Sequence, residues 1–311
     1  MRFKDFFSAQ SRPIISFELF PPKTDAALTQ LHRILPELIE LRPSFMTVTY
    51  GALGSTRERT LEIASLIKRE YQVETACHLT CVGSSRADLD QILRDFYGAN
   101  IENIVALRGD PPKGEAEFRP PADGYAHANQ LVEHIHDFCQ RQGIVDFGIA
   151  VAGYPEKHIE APDLATDLAN LKRKVDAGAD IVITQLFYDN SDYYRFVDEA
   201  RRVGVSQPIV PGLLPILSAK QIRRITSLCG SRIPEELHAQ LDAADDDDAK
   251  AEQIGIRQCV QQAKDLLLRG VPGIHFYVLN KSNHMKQIMS ELQPVIDQLR
   301  GGNTPRHGVA S

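Results

Sequence analysis

The 311 residues are 43% hydrophobic and 24% charged, which supplies a large core and excludes a disordered chain. A net charge of -6 without any clustered basic surface argues against nucleic acid as a main partner, since phosphate binding needs concentrated cations. Charges interrupt MRFKDFFSAQSRP where a signal peptide needs an apolar stretch, and no run of about 18 apolar residues occurs; the expectation is a cytoplasmic protein with no membrane partner.

Short apolar runs recur along the chain: IISFELF (14–20), FMTVTYG (45–51), TACHLTC (75–81), NIVALRG (103–109), FGIAVAGYP (147–155), IVITQLFYD (181–189), PIVPGLLPI (208–216) and GIHFYVLN (273–280). Each is too short for a helix, and together they predict eight strands. Between them lie segments of 3.6-residue period, such as LTQLHRILPELIEL, DLDQILRDFYG and LANLKRKVDAG, several ending in glycine before the next strand.

Near-continuous apolar strands alternating with helices predict a parallel sheet covered on its outer face. Eight such units predict an α/β fold, a single (β/α)8 TIM barrel over residues 1–300, with extra helices between the seventh and eighth strands and a flexible tail at 301–311. A doubly wound fold needs a Gly-x-Gly-x-x-Gly turn after the first strand, where this chain has Pro21-Pro22-Lys23-Thr24. In the insertion, Asp245 to Asp248 lack the ligand spacing of a calcium loop and read as the start of a helix. Cys77, Cys81, Cys139, Cys229 and Cys259 are scattered and odd in number, so neither a disulfide framework nor a metal site is expected, and Cys77 and Cys81 read as packing residues beside His78.

A barrel gathers its chemistry at the C-terminal strand ends. There the chain places Glu18; Thr49 and Tyr50; His78 and Thr80; Arg108, Gly109 and Asp110; Tyr154, Glu156 and His158; Gln185 and Asp189; and Asn280 and Lys281. Any one of these could be a loop-anchoring hydrogen-bond partner. Their convergence on seven of the eight strands points to a ligand site. No nucleophile elbow is present, and amides, aromatics, an Arg-Gly-Asp turn and the basic stretch Lys172 to Lys174 suit a planar cofactor with a phosphate tail. The same basic stretch also reads as a solvated helix face.

The blocks SFELFPPKT, VTYGALGSTRERT, HLTC, NIVALRGDPP, VAGYPEKH, LKRKVDAGADIVITQLFYD, PGLLPI and HFYVLN, in this order, resemble the methylenetetrahydrofolate reductase family over about residues 14 to 281. The resemblance implies a barrel that binds FAD without covalent attachment. It implies hydride transfer from NADH or NADPH to 5,10-methylenetetrahydrofolate in ping-pong turnover, and a homo-oligomer. By that resemblance Glu18 is the general acid that protonates folate N10, and Asp110 stabilises the cationic iminium beside the flavin. Gln185 contacts folate and nicotinamide, and Gln221 and Lys281 contact folate. Thr49, Tyr50, Ala52, His78, Arg108, Gly109, Asp110, Ala128, Tyr154, His158, Asp167, Asn170, Arg173 and Lys174 hold FAD or the nicotinamide near it.

This chain departs from the family at three places. Lys281 replaces an arginine fork with a point charge. An insertion in GYAHANQLV leaves Ala126 and Ala128 as alternatives for one flavin contact, and Gln221 stands in a less distinctive block. The alternative activity is a non-redox, folate-using barrel lyase or methyltransferase. The apolar residues Phe17, Leu19 and Phe20 beside Glu18 predict a carboxyl pKa raised toward neutrality.

Overall fold

The computed structural model describes residues 1–8, 13–50, 55–111, 114, 118–244 and 247–300. Ala52, Asp245, Asp246 and the tail at 301–311 lie outside the described residues. In chain order the elements are α1 (Phe3–Ser8), β1 (Ile14–Leu19), α2 (Asp25–Ile39), β2 (Phe45–Val48), α3 (Ser55–Tyr71), β3 (Glu74–Thr80), α4 (Arg86–Gly98) and β4 (Asn103–Leu107). They continue with α5 (Ala128–Gln142), β5 (Gly148–Gly153), α6 (Leu164–Asp176), β6 (Ile181–Thr184), α7 (Asn190–Arg202), β7 (Ile209–Val210) and β8 (Gly212–Leu213). The last are α8 (Ala219–Cys229), α9 (Glu235–Ala243), α10 (Asp248–Leu268), β9 (Gly273–Tyr277) and α11 (Asn283–Arg300).

All strands are parallel and pair in the order β7-β6-β5-β4-β3-β2-β1-β9-β8. β7 and β8 are two halves of the single run PIVPGLLPI, separated by Pro211, which has no N–H to give to a ladder. The nine segments therefore occupy the eight positions of a TIM barrel, as the repeat predicts. The extra helices α8, α9 and α10 fall in the predicted insertion, and Asp247 caps α10 by accepting from the Ala249 and Lys250 N–H groups.

Helix stripes face outward-pointing strand residues. α4 buries Leu89, Ile92, Leu93 and Phe96 at i, i+3, i+4 and i+7, and its first turn is closed by a reciprocal Ser85–Asp88 capping box. These residues join Phe17, Leu19, Val48, Cys77 and Leu79 in the main core between sheet and helices. A second cluster fills the barrel interior near the N-terminal strand ends, where Ile14, Phe45, Ala76, Val105, Ala150 and Ile181 meet Phe3 and Phe7 of α1. Sequence reading assigned no element to residues 3–8. One short helix carries too few periods to be read, yet it floors the barrel, with the Phe3 N–H on Asn103 Oδ1 at 2.8 Å.

The seam where the barrel closes has its own lock. The Thr184 hydroxyl accepts the Gly212 N–H at 2.9 Å, and the Thr184 carbonyl accepts the Tyr277 hydroxyl at 2.7 Å from across β8. A Cβ on Gly212 would lie 2.1 Å from that carbonyl and 2.7 Å from the Tyr277 oxygen. The Gly212→Ala substitution is expected to destabilise the fold by at least ~2 kcal/mol, because backbone blocks the space and cannot yield as a flexible side chain would. Thermal unfolding reads the loss, and an unchanged midpoint would contradict the lock.

Candidate active site

The C-terminal strand ends open into a cavity of about 1430 Å³. Of the residues assigned a ligand role by resemblance, all line it except Gln221 and Lys281, which are exposed and outside its lining, and Ala52, which is not described. Between the two alanines left open, Ala128 lines the cavity, while the Ala126 N–H caps back onto Gln130 Oε1 at 3.0 Å. Gly109 adopts a φ of +89°, and a Cβ there would stand 2.8 Å from Val82 Cγ1, so glycine is required where the chain turns from Arg108 to Asp110.

Glu18 is buried beneath this cavity, with 6% of its surface exposed. Its Oε2 gathers three side chains from three neighbouring strands. The Thr47 hydroxyl donates from 3.3 Å, His275 Nε2 stands at 3.3 Å, and His78 Nε2 lies at 3.1 Å. The His78 Nε2 is buried at ion-pair distance from the carboxylate without a well-aligned hydrogen-bond partner.

The expectation of a raised Glu18 pKa is overturned. Burial alone would raise it, but the charge of His78 and the hydrogen bond and charge of His275 outweigh burial and hold the carboxyl down, at about 2. The reason is strand alternation. Phe17 and Leu19 belong to the outer core, whereas Glu18 shares the inner face with Ser16, Thr47 and His275. Its neighbours in sequence are not its neighbours in space.

A cationic wall lines the β5 and β6 side of the cavity. Lys174 on α6 is enclosed, with its Nζ on the Ala152 carbonyl and 5.6 Å from the Tyr154 ring centroid, and burial lowers its pKa to about 8. Arg173 is held by Asn170 Oδ1 at 2.8 Å. Asp167 accepts the His158 N–H at 3.0 Å and so anchors the loop that carries the edge-to-face Tyr154–His158 pair. The basic stretch is thus divided: Arg173 and Lys174 face the cavity, while Lys172 pairs with Asp176 along the helix.

Arg108 is turned onto Glu160 through a fork at 2.5 and 2.7 Å, over the Phe118 ring. Glu160, which sequence reading did not select, also lines the cavity.

Other strand-end residues serve the scaffold. Asn280 bonds both backbone groups of Phe20, at 2.9 and 2.6 Å. Asp189 caps α7 and pairs with Arg232, whose N–H is accepted by Glu156. Cys77 and Cys81 are buried, and burial pushes the Cys81 thiol up to about 12, as suits packing residues. His275 and Tyr277 were also missed as individuals. Both sit on the inner face of GIHFYVLN, where polar and aromatic residues alternating with Ile274 and Phe276 were the available signal.

The sequence model described as Methylenetetrahydrofolate reductase matches residues 2–293. The chain belongs to the methylenetetrahydrofolate reductase family. It is 42% identical over 280 residues to methylenetetrahydrofolate reductase (NADH) 1 of Arabidopsis thaliana, covering 87% of this chain and 47% of that protein. It is 39% identical over 268 residues to the 5,10-methylenetetrahydrofolate reductase of Escherichia coli, covering 86% of each. The chain spans about half the length of the plant relatives and most of the bacterial one. Among solved structures, an uncharacterized protein from Clostridium thermocellum that binds two copies of 5-methyl-5,6,7,8-tetrahydrofolic acid matches with a TM-score of 0.59 at 15% identity, over 95% of this chain and 98% of that one. At that identity the match shows the shared fold.

The depressed Glu18 pKa gives a signed prediction for stability. Its pairing is fully present above the unfolded value near 4.5 and is lost as pH falls toward about 2. Relative to Glu18→Gln, the wild-type chain is expected to lose stability across that window, read from denaturant midpoints. Parallel curves would contradict the pairing.

Proposed function

We propose that this chain is an FAD-dependent reductase. It takes a hydride from NADH or NADPH and passes it to 5,10-methylenetetrahydrofolate, forming 5-methyltetrahydrofolate, with nicotinamide and folate occupying the site in turn. The observation that carries the reading is the juxtaposition of a histidine-flanked carboxyl, Glu18, with a cavity of about 1430 Å³ walled by aromatic rings and an enclosed lysine. The volume exceeds the roughly 300–1,000 Å³ of single-ligand sites and leaves room for a dinucleotide and a second ring system.

The residues present fit such a cofactor. His78 Nε2 and Thr80 Oγ1 are buried at the cavity without hydrogen-bond partners, and Lys174 is an enclosed cation. Lys174 and Arg173 would hold the phosphates, and Tyr154 and His158 would bound a planar ring. Bound FAD supplies the two-electron carrier between nicotinamide and folate. Glu18 delivers a proton to folate N10, which opens the five-membered ring and leaves a cationic iminium at N5. Asp110, exposed on the rim, supplies negative charge toward that cation. Gln185 presents a side-chain amide from the end of β6 to whichever substrate is bound.

Family membership and the NADH in the plant relatives' names support this reading and favour NADH as donor. Among the described residues no helix is long and apolar enough to cross a membrane. A cytoplasmic homo-oligomer completes the proposal.

The purified protein is expected to be yellow, to bleach with NADH under anaerobic conditions and to recolour with 5,10-methylenetetrahydrofolate. A colourless protein that does not take up FAD would contradict the assignment and favour a non-redox barrel lyase or methyltransferase. In Glu18→Gln, flavin reduction by NADH is expected to persist, while folate-driven reoxidation falls by at least ~100-fold. Equal losses in both half-reactions would remove Glu18 from the role of acid.

A further inference from the structure

Two side chains that line the cavity from neighbouring strands are joined across its rim. Arg108 follows β4 and Glu160 follows β5, and these strands pair in parallel, so their loops stand side by side. The Arg108 guanidinium donates to both Glu160 carboxylate oxygens, at 2.5 and 2.7 Å. Its Nε donates to the Gly109 carbonyl at 3.1 Å, and its carbon lies 5.1 Å from the Phe118 ring centroid. An exposed ion pair usually contributes little, but a two-bond fork with a stacked face fixes the plane of the group as well as its charge.

The loop that carries Glu160 is itself held. Lys157 takes a φ of +92°, unfavourable for a residue with a Cβ, and its Nζ donates to the His158 carbonyl at 3.2 Å and to the Ala161 carbonyl. The Ala161 N–H closes on the His158 carbonyl at 3.0 Å, and Asp167 accepts the His158 N–H. In turn the Glu160 N–H donates to His158 Nδ1 at 3.1 Å, which leaves that nitrogen bare and, in the neutral ring, puts the proton on Nε2. Glu160 thus fixes two cavity-lining groups at once, the tautomer of His158 through its backbone and the direction of Arg108 through its carboxylate.

Arginine carries five N–H groups. On Arg108 one is taken by Gly109 and two by Glu160, and the other two remain on a residue that lines the cavity. The pair is neutral as a whole, so it presents oriented donors and not an added positive charge. Lys174 and Arg173 supply the charge from α6.

We propose that Glu160 is a positioning residue for the cofactor: it acts through Arg108, keeping the two unassigned N–H groups for oxygen atoms of the ligand, and it fastens the loop of Gly109 and Asp110 to that of Tyr154 and His158. The inference rests on the reductase reading above. The group that suits these donors is an oxygen acceptor, such as those in the phosphate tail of a dinucleotide.

Titration of flavin-free protein with FAD, read by quenching of flavin fluorescence, tests the proposal. Glu160→Gln keeps the length of the side chain and one acceptor oxygen but loses the second bond and the charge, and is expected to weaken FAD binding about 10-fold. Arg108→Gln is expected to weaken it by at least as much, and the double variant by no more than Arg108→Gln alone, because Glu160 acts through Arg108. Both flavin-free single variants are expected to unfold within about 3 °C of the wild type. A merely structural role would lower that midpoint and make the two losses in affinity add. Glu160→Asp, with its charge on a shorter arm, is the check if Glu160→Gln does not fold, and is expected to weaken binding several-fold.

FAD bound by Glu160→Gln as tightly as by the wild type would overturn the proposal. Tighter binding would overturn it too, since Glu160 would then compete with the ligand for Arg108, and so would additive losses. The wild type separates the layers: if it takes up no FAD, the reductase reading fails; if it takes up FAD and Glu160→Gln matches it, only the role of Glu160 fails.

Discussion

The pairing of β1 with β9 joins the first and last strands of the chain and also makes the site. These strands are about 260 residues apart in sequence, and their parallel register sets Ser16 against His275 and Glu18 against Tyr277. This pairing places a carboxylate, an imidazole and two hydroxyl groups in a low-dielectric interior, where each can be tolerated only in the company of the others. The same strand provides Phe17 and Leu19 to the outer core. One-residue alternation thus separates chemistry from packing along six residues, and a slip of register by one position would bury the wrong set.

The cavity above this cluster is divided by charge. Around Glu18 the barrel presents imidazoles and a hydroxyl, which favour an ionised acid. Toward β5 and α6 it presents Lys174, Arg173 and an aromatic pair, which favour an anionic ligand with a flat ring. Arg108 stands between them with its fork taken up by Glu160. In the proposed reaction the two regions serve different substrates' needs, proton supply on one side and phosphate anchorage on the other. The proposed donor and acceptor would then use one cavity in succession.

Much of this was legible in the sequence because a barrel repeats its signal. Eight short apolar runs alternating with helical segments marked the sheet, and polar residues ending seven of them marked the rim. Gly109 and the α6 residues Asp167, Asn170, Arg173 and Lys174 line the cavity. What escaped has physical reasons. The α1 helix has one turn and a half, too short to show a period, and its role appears only when Phe3 and Phe7 meet strands from the whole barrel. The sign of the Glu18 shift was misread because adjacency in sequence was taken for adjacency in space, and the deciding histidines lie on β3 and β9. Gln221 and Lys281 have the right residue types but stand exposed, outside the cavity lining. Asn280 and Asp189 hold loops, a use of polar strand-end residues that composition cannot tell from ligand binding.

The central claim is that the barrel interior holds Glu18 as a carboxylate through histidines from neighbouring strands. The direct measurement is a pH titration of the Glu18 carboxyl by 13C NMR in flavin-free protein, with its signal identified by loss in Glu18→Gln. The account predicts a midpoint well below the ordinary glutamate value of about 4.3. A midpoint at or above that value would contradict it.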